Sequence, residues 1–531
     1  MRGQIGLLFG TLLVAMSGCQ EQKLVDKPNI IIILADDMGF SDIGCFGSEI
    51  TTPNIDYLAE RGMRLTQMYN AARCCPTRAS LLTGVYPHQA GMGDMVEGRM
   101  RIDNTPLPAY QGYLNDSLHT IAELLKQEGY TTMISGKWHV GDAPQYWPSK
   151  KGFDKSFSLI NGASNYFNLN PWFDEDQKII LSLNGQKFQP GDDFYMTTAI
   201  TDHALDFIGE IDPGDNPFFM YLSYTAPHWP LHALPEDISK FRGKYMMGWD
   251  SLRYLRFRKM KAMGVVRENS DISGRYTDAP KWNEMSEGQK DTFDLRMAVY
   301  AAMVYRMDAG IGQIVNYLEQ QKELDNTLIM FLSDNGATKA SIHLATSFYA
   351  DRSGPIGSAN SFDSQGAGWA NANNAPLRLF KTFCHEGGIS TPFVAFWPER
   401  IPGGSLNHAQ AAHVIDLLPT CLDAAGSNKT YDAEGQSILP QLSGESANVE
   451  RTLYWEHQGG KAIRKGKWKL VMNKKRDSEW KLYDIENDRT EMNDLTNEHA
   501  GKTDELMKMW QDWADRVGVE PWDSLKLVRS L

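Results

Sequence analysis

The sequence predicts an α/β fold. A large domain with a mostly parallel central sheet flanked by helices precedes a small C-terminal antiparallel sheet with one helix. Three observations lead there. The run "NIIIILADD" (Asn29–Asp37) is apolar without alternation, as a strand buried on both faces reads. Strand-like runs at Thr131–Ser135, Phe218–Tyr224, Thr327–Ser333 and Pro392–Phe396 alternate with helical segments. From about Arg451 the pattern changes to short strands, "TLYWEHQ", "KAIRKGKWKLVMN" and "EWKLYDI", and "KTDELMKMWQDWADRVG" closes it as a helix.

The helices carry their own signals. "TPNIDYLAERG" offers Thr52 as N-cap, Pro53 at the first helical position and Gly62 as the stop. "SLHTIAELLKQEG" predicts a second helix with Leu118, Ile121, Leu124 and Leu125 on one face. Lys240–Lys261 is basic, and reads either as a solvated helix face or as the rim of a pocket for an anion. The stretch Asn335–Asn374, rich in Gly, Ser, Ala and Asn, is the least regular, and a loop of that length in a compact domain is usually functional.

At 531 residues the chain is too long for one simple core. Its organisation reads as a leader over 1–18, a catalytic domain over 24–446 and a small α+β subdomain over 447–531. The net charge of −13 argues against nucleic acid or an anionic bilayer as the main partner. "MRGQIGLLFGTLLVAMSGCQEQ" sets one positive residue before a short apolar run, the pattern of an export signal. Its ending, Met16 to Cys19, resembles a bacterial lipobox. Cleavage before Cys19 and lipidation of Cys19 are therefore expected, with cleavage nearby by the ordinary peptidase as the alternative. The expected location is the periplasm, outer membrane or cell surface of a Gram-negative bacterium, with a lipid anchor as the only membrane contact. Without Cys19, five of the six cysteines remain. An odd number in an exported protein points to a thiol outside any disulfide framework.

Polar residues follow four of the strands. Asp36 and Asp37 follow the first; Lys137 and His139 stand in "SGKWHVG"; His228 stands in "TAPHWP"; Asp334 and Asn335 stand in "SDNG". Sites in open α/β sheets form beyond the carboxyl ends of strands, so four segments converge on one rim. Singly, each motif is a common cap, turn or structural histidine. Jointly they sort into two sets. Asp36, Asp37, Asp334 and Asn335 are hard oxygen donors suited to Ca²⁺ or Mg²⁺ and not to zinc. Arg78, Lys137, His139 and His228 suit an oxyanion such as sulfate or phosphate.

"RCCPTRASLLTG" (residues 73–84) places Cys74 and Cys75 at the start of a helix, where negative charge is favoured. A thiol-phosphatase needs Arg six positions after its Cys; Ser80 and Leu81 stand there instead. A strained vicinal disulfide is an alternative. A buried structural thiol is the reading for Cys75.

Cys-x-Pro-x-Arg followed by Leu-Thr-Gly matches the signature of the type I sulfatases. "LADDMGFSDIGCFG", "GKWHVG", "FFMYLSYTAPHWPL", "SDNGA" and "PLRLFKTFCHEGGISTP" also resemble that family, in the right order. The resemblance covers nearly all of 28–531 and is closest to the bacterial arylsulfatase branch. One departure is Ser390, where many relatives have Arg. The resemblance implies the fold of the alkaline phosphatase superfamily and hydrolysis of sulfate esters, on sulfated glycans (galactose or hexosamine sulfates) or aryl sulfates. It implies oxidation of Cys74 to formylglycine by a maturation enzyme, with a sulfated hemiacetal as intermediate. It implies one Ca²⁺, or less readily Mg²⁺, held by Asp36, Asp37, Asp334, Asn335 and the modified residue 74. Arg78 would hold the formylglycine hydrate, Lys137 and Lys381 the sulfate, and His139 and His228 would act as base and acid. Two alternatives stay open: a phosphonate or phosphodiester hydrolase on the same scaffold, and an inactive lipoprotein that binds sulfated glycan.

Overall fold

The structure, a computed structural model, describes residues 27–96, 101–102, 105–172, 174–211, 216–345, 349–473 and 477–529. The leader 1–18 and the lipidation candidate Cys19 lie outside the described residues. The strands run in chain order as β1 (Asn29–Ala35), β2 (Met63–Tyr69), β3 (Arg101–Ile102), β4 (Thr105–Pro106), β5 (Thr131–Lys137), β6 (Lys155–Leu159), β7 (Leu181–Leu183), β8 (Gln186–Phe188), β9 (Phe218–Ser223), β10 (Thr327–Ser333), β11 (Ser390–Phe396), β12 (Ser405–Asn407) and β13 (Ala412–His413). The C-terminal strands are β14 (Thr452–His457), β15 (Gly460–Lys465), β16 (Trp468–Asn473) and β17 (Asp477–Asp484).

Among the described residues, eleven strands form one sheet in the order β12-β2-β11-β10-β1-β9-β5-β6-β7-β8, with β13 also on β2. The centre, β10-β1-β9-β5-β6, is parallel. Antiparallel pairings to β11 and β7 flank it, so the sheet is mixed with a parallel core. The unbroken apolar run of β1 has a direct cause. Ile31, Ile33 and Ala35 enter one core cluster with the long helix Glu287–Gln321, while Ile30, Ile32 and Leu34 enter another with helices Cys74–Thr83 and Leu417–Ala424. Each isoleucine buried in this way contributes about 1.5–3 kcal/mol relative to exposure.

Two local expectations are corrected in detail. The helix expected from Leu118 begins at Ile121, because Thr120 caps it by accepting the Glu123 N–H at 3.1 Å while Glu123 takes the Thr120 N–H at 2.8 Å. Thr52 does stand at the N-cap with Pro53 first in the helix Pro53–Glu60, but its side chain makes no capping bond: its hydroxyl accepts the Gly44 N–H at 2.8 Å, and the helix closes on Arg61. The basic segment is largely a solvated face, with Lys240, Arg242, Lys244, Arg258 and Lys259 exposed, and its buried members do a different job. In helix Trp249–Ala262, Arg256 is buried and pairs with Asp42 at 2.6 Å and Glu49 at 2.8 Å, so its charge braces the loop that follows β1. The irregular stretch after Asn335 contains the helix Gly366–Asn373, and the Asn373 carbonyl accepts the Ser41 N–H of that same loop.

Strands β14–β17 form a separate antiparallel sheet. Helix Ala500–Val517 lays Leu506, Trp510, Trp513 and Val517 on it, and a second short helix, Trp522–Arg529, follows. The sheet also packs on the large domain. Leu453, Trp455, Val471 and Tyr483 meet Tyr69, Ala72, Cys384 and Ile389 in one apolar cluster. Among the described residues no helix is long and apolar enough to cross a membrane.

Candidate active site

Four adjacent strands of the parallel core, β10-β1-β9-β5, end at one place. Asp334 and Asn335 follow β10, Asp36 and Asp37 follow β1, His228 follows β9, and Lys137 with His139 ends β5. Cys74 is the first residue of helix Cys74–Thr83, which packs beneath the sheet. The structure brings together every site residue expected from the sequence within 27–531, and all of them are buried.

The carboxylates and cations interlock. Lys137 Nζ donates to Asp36 Oδ2 at 2.6 Å. Lys381 Nζ donates to Asp37 Oδ1, which also takes the Asn335 amide N–H at 2.6 Å. Arg78 Nη2 and Nε donate to Asp334 Oδ2 at 2.8 and 3.1 Å, and its Nη1 donates to the Lys137 carbonyl at 3.1 Å and to the Ser223 hydroxyl. Burial pushes Asp36 above its ordinary value, with Lys137 and Arg78 opposing. Burial and the neighbouring Asp36 charge raise Asp334 to about 7 against the pull of Arg78. For Asp37, burial raises the pKa, but Lys381 and His228 outweigh it and leave the carboxylate lowered.

Among the described residues, the strand ends of this site carry three buried oxygens with no hydrogen bond: Asp36 Oδ1, Asp37 Oδ2 and Asn335 Oδ1. Buried polar atoms are rarely left so, and here all three are hard donors on neighbouring strand ends. The donor set fits a Ca²⁺ or Mg²⁺ ion.

Backbone strain gathers at the same place. Among the described residues, nine non-glycine residues adopt positive φ, and five of them are Asp37, Ala72, His139, Leu379 and Thr382. Such strain persists where the surroundings over-determine it. Two glycines make room. A Cβ on Gly136, at φ 121°, would meet the Ser223 carbonyl oxygen at 1.8 Å, and one on Gly162 would meet the His139 ring at 2.3 Å.

The histidines differ. Nδ1 of His228 lies 2.5 Å from the Trp229 carbonyl, which can only accept, so Nδ1 carries a proton and Nε2 faces Asp37 Oδ2 at 3.5 Å. Burial lowers His228 to about 3, with Asp37 opposing. His139 Nε2 lies 3.2 Å from Cys75 Sγ. The Cys74 thiol is held well below its ordinary value, first by its hydrogen bond with Cys75 and then, against burial, by Lys137, Lys381 and His139. Among the described residues no two cysteines are joined by a disulfide. Ser223 and the Cys75–His139 contact were not expected from the sequence. A scan of strand ends for hydroxyls finds Ser223; nothing in the sequence marks the contact.

A buried ring of three carboxylates, three cationic side chains and two histidines around a helix-terminal thiol, with hard oxygens that take no hydrogen bond beside it, defines a hydrolase for an anionic ester. The sulfatase family model matches residues 28–427, and the model described as N-sulphoglucosamine sulphohydrolase, C-terminal, matches 378–515. The chain belongs to the sulfatase family: it is a type I sulfatase of the alkaline phosphatase superfamily, and so a sulfuric ester hydrolase. It is 36% identical over 526 residues to an uncharacterised sulfatase of Schizosaccharomyces pombe, covering 93% of this chain and 94% of that one. It is 34% identical over 432 residues to an arylsulfatase of Klebsiella aerogenes, covering 78% and 90%. The crystal structure of Ps i-CgsB in complex with k-i-k-neocarrahexaose superposes with a TM-score of 0.67 at 28% identity, over 92% of this chain and 93% of that one.

Proposed function

We propose that this sulfatase removes sulfate from glycans, with galactose or hexosamine sulfates as the substrate class, through a formylglycine made from Cys74 and a calcium ion. The observation that supports the reading is the convergence of Asp36 Oδ1, Asp37 Oδ2 and Asn335 Oδ1, all buried and without a hydrogen bond, beside Cys74. The saccharide complex of Ps i-CgsB and the N-sulphoglucosamine sulphohydrolase match support a sugar substrate.

Asp36, Asp37, Asp334 and Asn335 would hold the ion, with residue 74 as a further ligand. When bound, calcium supplies positive charge beside an oxygen nucleophile that formylglycine provides. The chain's own groups do the rest. The ammonium groups of Lys137 and Lys381 bind sulfate oxygens and balance their charge. Arg78 holds Asp334, the Lys137 carbonyl and Ser223 in one frame, so the metal side and the sulfate side keep their spacing. His228 Nε2 moves a proton to the oxygen of the departing sugar, and its Nδ1 bond to Trp229 fixes the ring for that task. His139 serves residue 74 as base.

Maturation by a formylglycine-generating enzyme, export and lipidation at Cys19 complete the proposal. Matured protein should be assayed on positionally defined sulfated sugars, nitrophenyl sulfate and nitrophenyl phosphodiesters. Preferential turnover of one sulfated sugar supports it. Faster turnover of the phosphodiester, or none of any sulfated sugar, overturns it.

A further inference from the structure

Lys381 lies between Leu379 and Thr382, which adopt φ of 67° and 78°. Neither is glycine, so something must hold this loop in place. Part of the answer is local. The Lys381 N–H donates to the Ala337 carbonyl at 3.2 Å, and the Thr382 N–H to the Ala72 carbonyl at 2.8 Å. The first carbonyl follows Asn335 and the second precedes Cys74, so the loop ties both halves of the site. It closes where the Gly387 N–H donates to the Arg378 carbonyl at 2.8 Å.

The residue before that closure is Glu386, first in the short helix Glu386–Ile389. Its carboxylate reaches into the C-terminal sheet. Oε1 accepts from Lys469 Nζ of β16 at 2.8 Å, and Oε2 accepts from Ser390 at 2.8 Å, from Tyr69 at 3.1 Å and from Arg489 at 3.1 Å. Lys469 Nζ also lies 2.8 Å from Glu491, whose Oε2 takes the Glu386 N–H at 2.9 Å. Glu386, Lys469 and Glu491 are wholly buried. Arg489 also donates to the Ser390 hydroxyl at 3.2 Å, so the C-terminal segment grips both ends of this short helix.

A buried lysine between two carboxylates is a poor way to gain stability, since apolar packing does as well. What charge-assisted bonds add is fixed distance and direction. We propose that Lys469, acting through Glu386, is a positioning residue that sets Lys381 at the sulfate site. The C-terminal sheet is then a working part of the active site. The inference rests on the reading of Lys381 as a sulfate-binding group.

The test is a cycle of Lys469→Met in two backgrounds, wild type and Lys381→Ala, read as kcat/KM on nitrophenyl sulfate and as affinity for inorganic sulfate by calorimetry. In the wild-type background kcat/KM should fall about 10–100-fold and sulfate should bind more weakly. In the Lys381→Ala background the further loss should be less than about twofold. Lys469→Arg should restore part of the activity. If Lys469→Met does not fold, Glu386→Gln keeps the shape and enters the same cycle. Equal losses in both backgrounds, or wild-type kinetics in Lys469→Met, overturn the positioning role. A Lys381→Ala enzyme as active as wild type overturns instead the reading on which the role rests.

Discussion

The Cys75 thiol lies 3.2 Å from Nε2 of His139, and with Cys74 the two place their sulfur and nitrogen atoms within 4.8 Å of one another. The second cysteine of the pair is therefore in the site, where the sequence suggested only a packing role. Cys75→Ala removes a hydrogen-bond partner from a buried imidazole. Loss of one such bond is worth about 1 kcal/mol, or roughly fivefold in rate. Cys75→Ala should lower kcat/KM by that factor, and Cys75→Ser, which keeps a polar atom there, by less. Both are to be measured on protein whose residue 74 has wild-type mass. Unchanged kinetics in Cys75→Ala would remove the contact from catalysis.

The signature around Cys74 predicts a covalent change. Mass spectrometry of active protein should show residue 74 as an aldehyde or its hydrate, and Cys74→Ala should abolish turnover. Full activity from a chain with a free Cys74 thiol would discard the formylglycine reading, and with it the need for a maturation enzyme.

Much of this site was legible because its parts sit at strand ends. Asp36, Asp37, Asp334 and Asn335 follow apolar runs whose unbroken character announces strands buried on both faces. What was not legible depends on chain segments far apart. Arg78 meets Asp334 across 256 residues, and Glu386 meets Lys469 across 83. No periodicity encodes such pairs. The strained backbone at Leu379 and Thr382 was hidden too, since neither residue type signals positive φ. Leu118 misled because hydrophobic spacing continued past the Thr120 cap.

The oxygen donor set predicts one hard divalent ion. Elemental analysis should find calcium, or magnesium in its place, near one equivalent per chain. EDTA should reduce turnover. Asp37→Ala should lose the ion and cost at least about 10²-fold in kcat, the scale of losing a group that stabilises developing charge. Asp37 also receives Lys381 and Asn335, so the variant should weaken sulfate binding as well. Stoichiometric zinc that is needed for rate would contradict the assignment.

The two histidines should separate by leaving group. His228 presents Nε2 toward Asp37 with its other nitrogen committed to Trp229, and burial holds the imidazole neutral at neutral pH. An entering sulfate ester brings negative charge beside it, which raises its affinity for a proton. That proton is then available where the S–O bond breaks. A sugar alcohol is a poor leaving group and needs it; nitrophenolate leaves almost unaided. His228→Ala should therefore cost roughly 10²–10⁴-fold on a sulfated sugar and far less on nitrophenyl sulfate. His139 lies against the pair Cys74–Cys75, so its loss should slow a step common to both substrates. His139→Ala should then bring both kcat values to a similar floor and show a burst of nitrophenol before slow turnover. Rapid-mixing kinetics with the two substrates measures both effects. Equal losses on both substrates for His228→Ala, with no burst for His139→Ala, would exchange or erase these roles, because the step that needs the proton would no longer depend on how well the alcohol leaves.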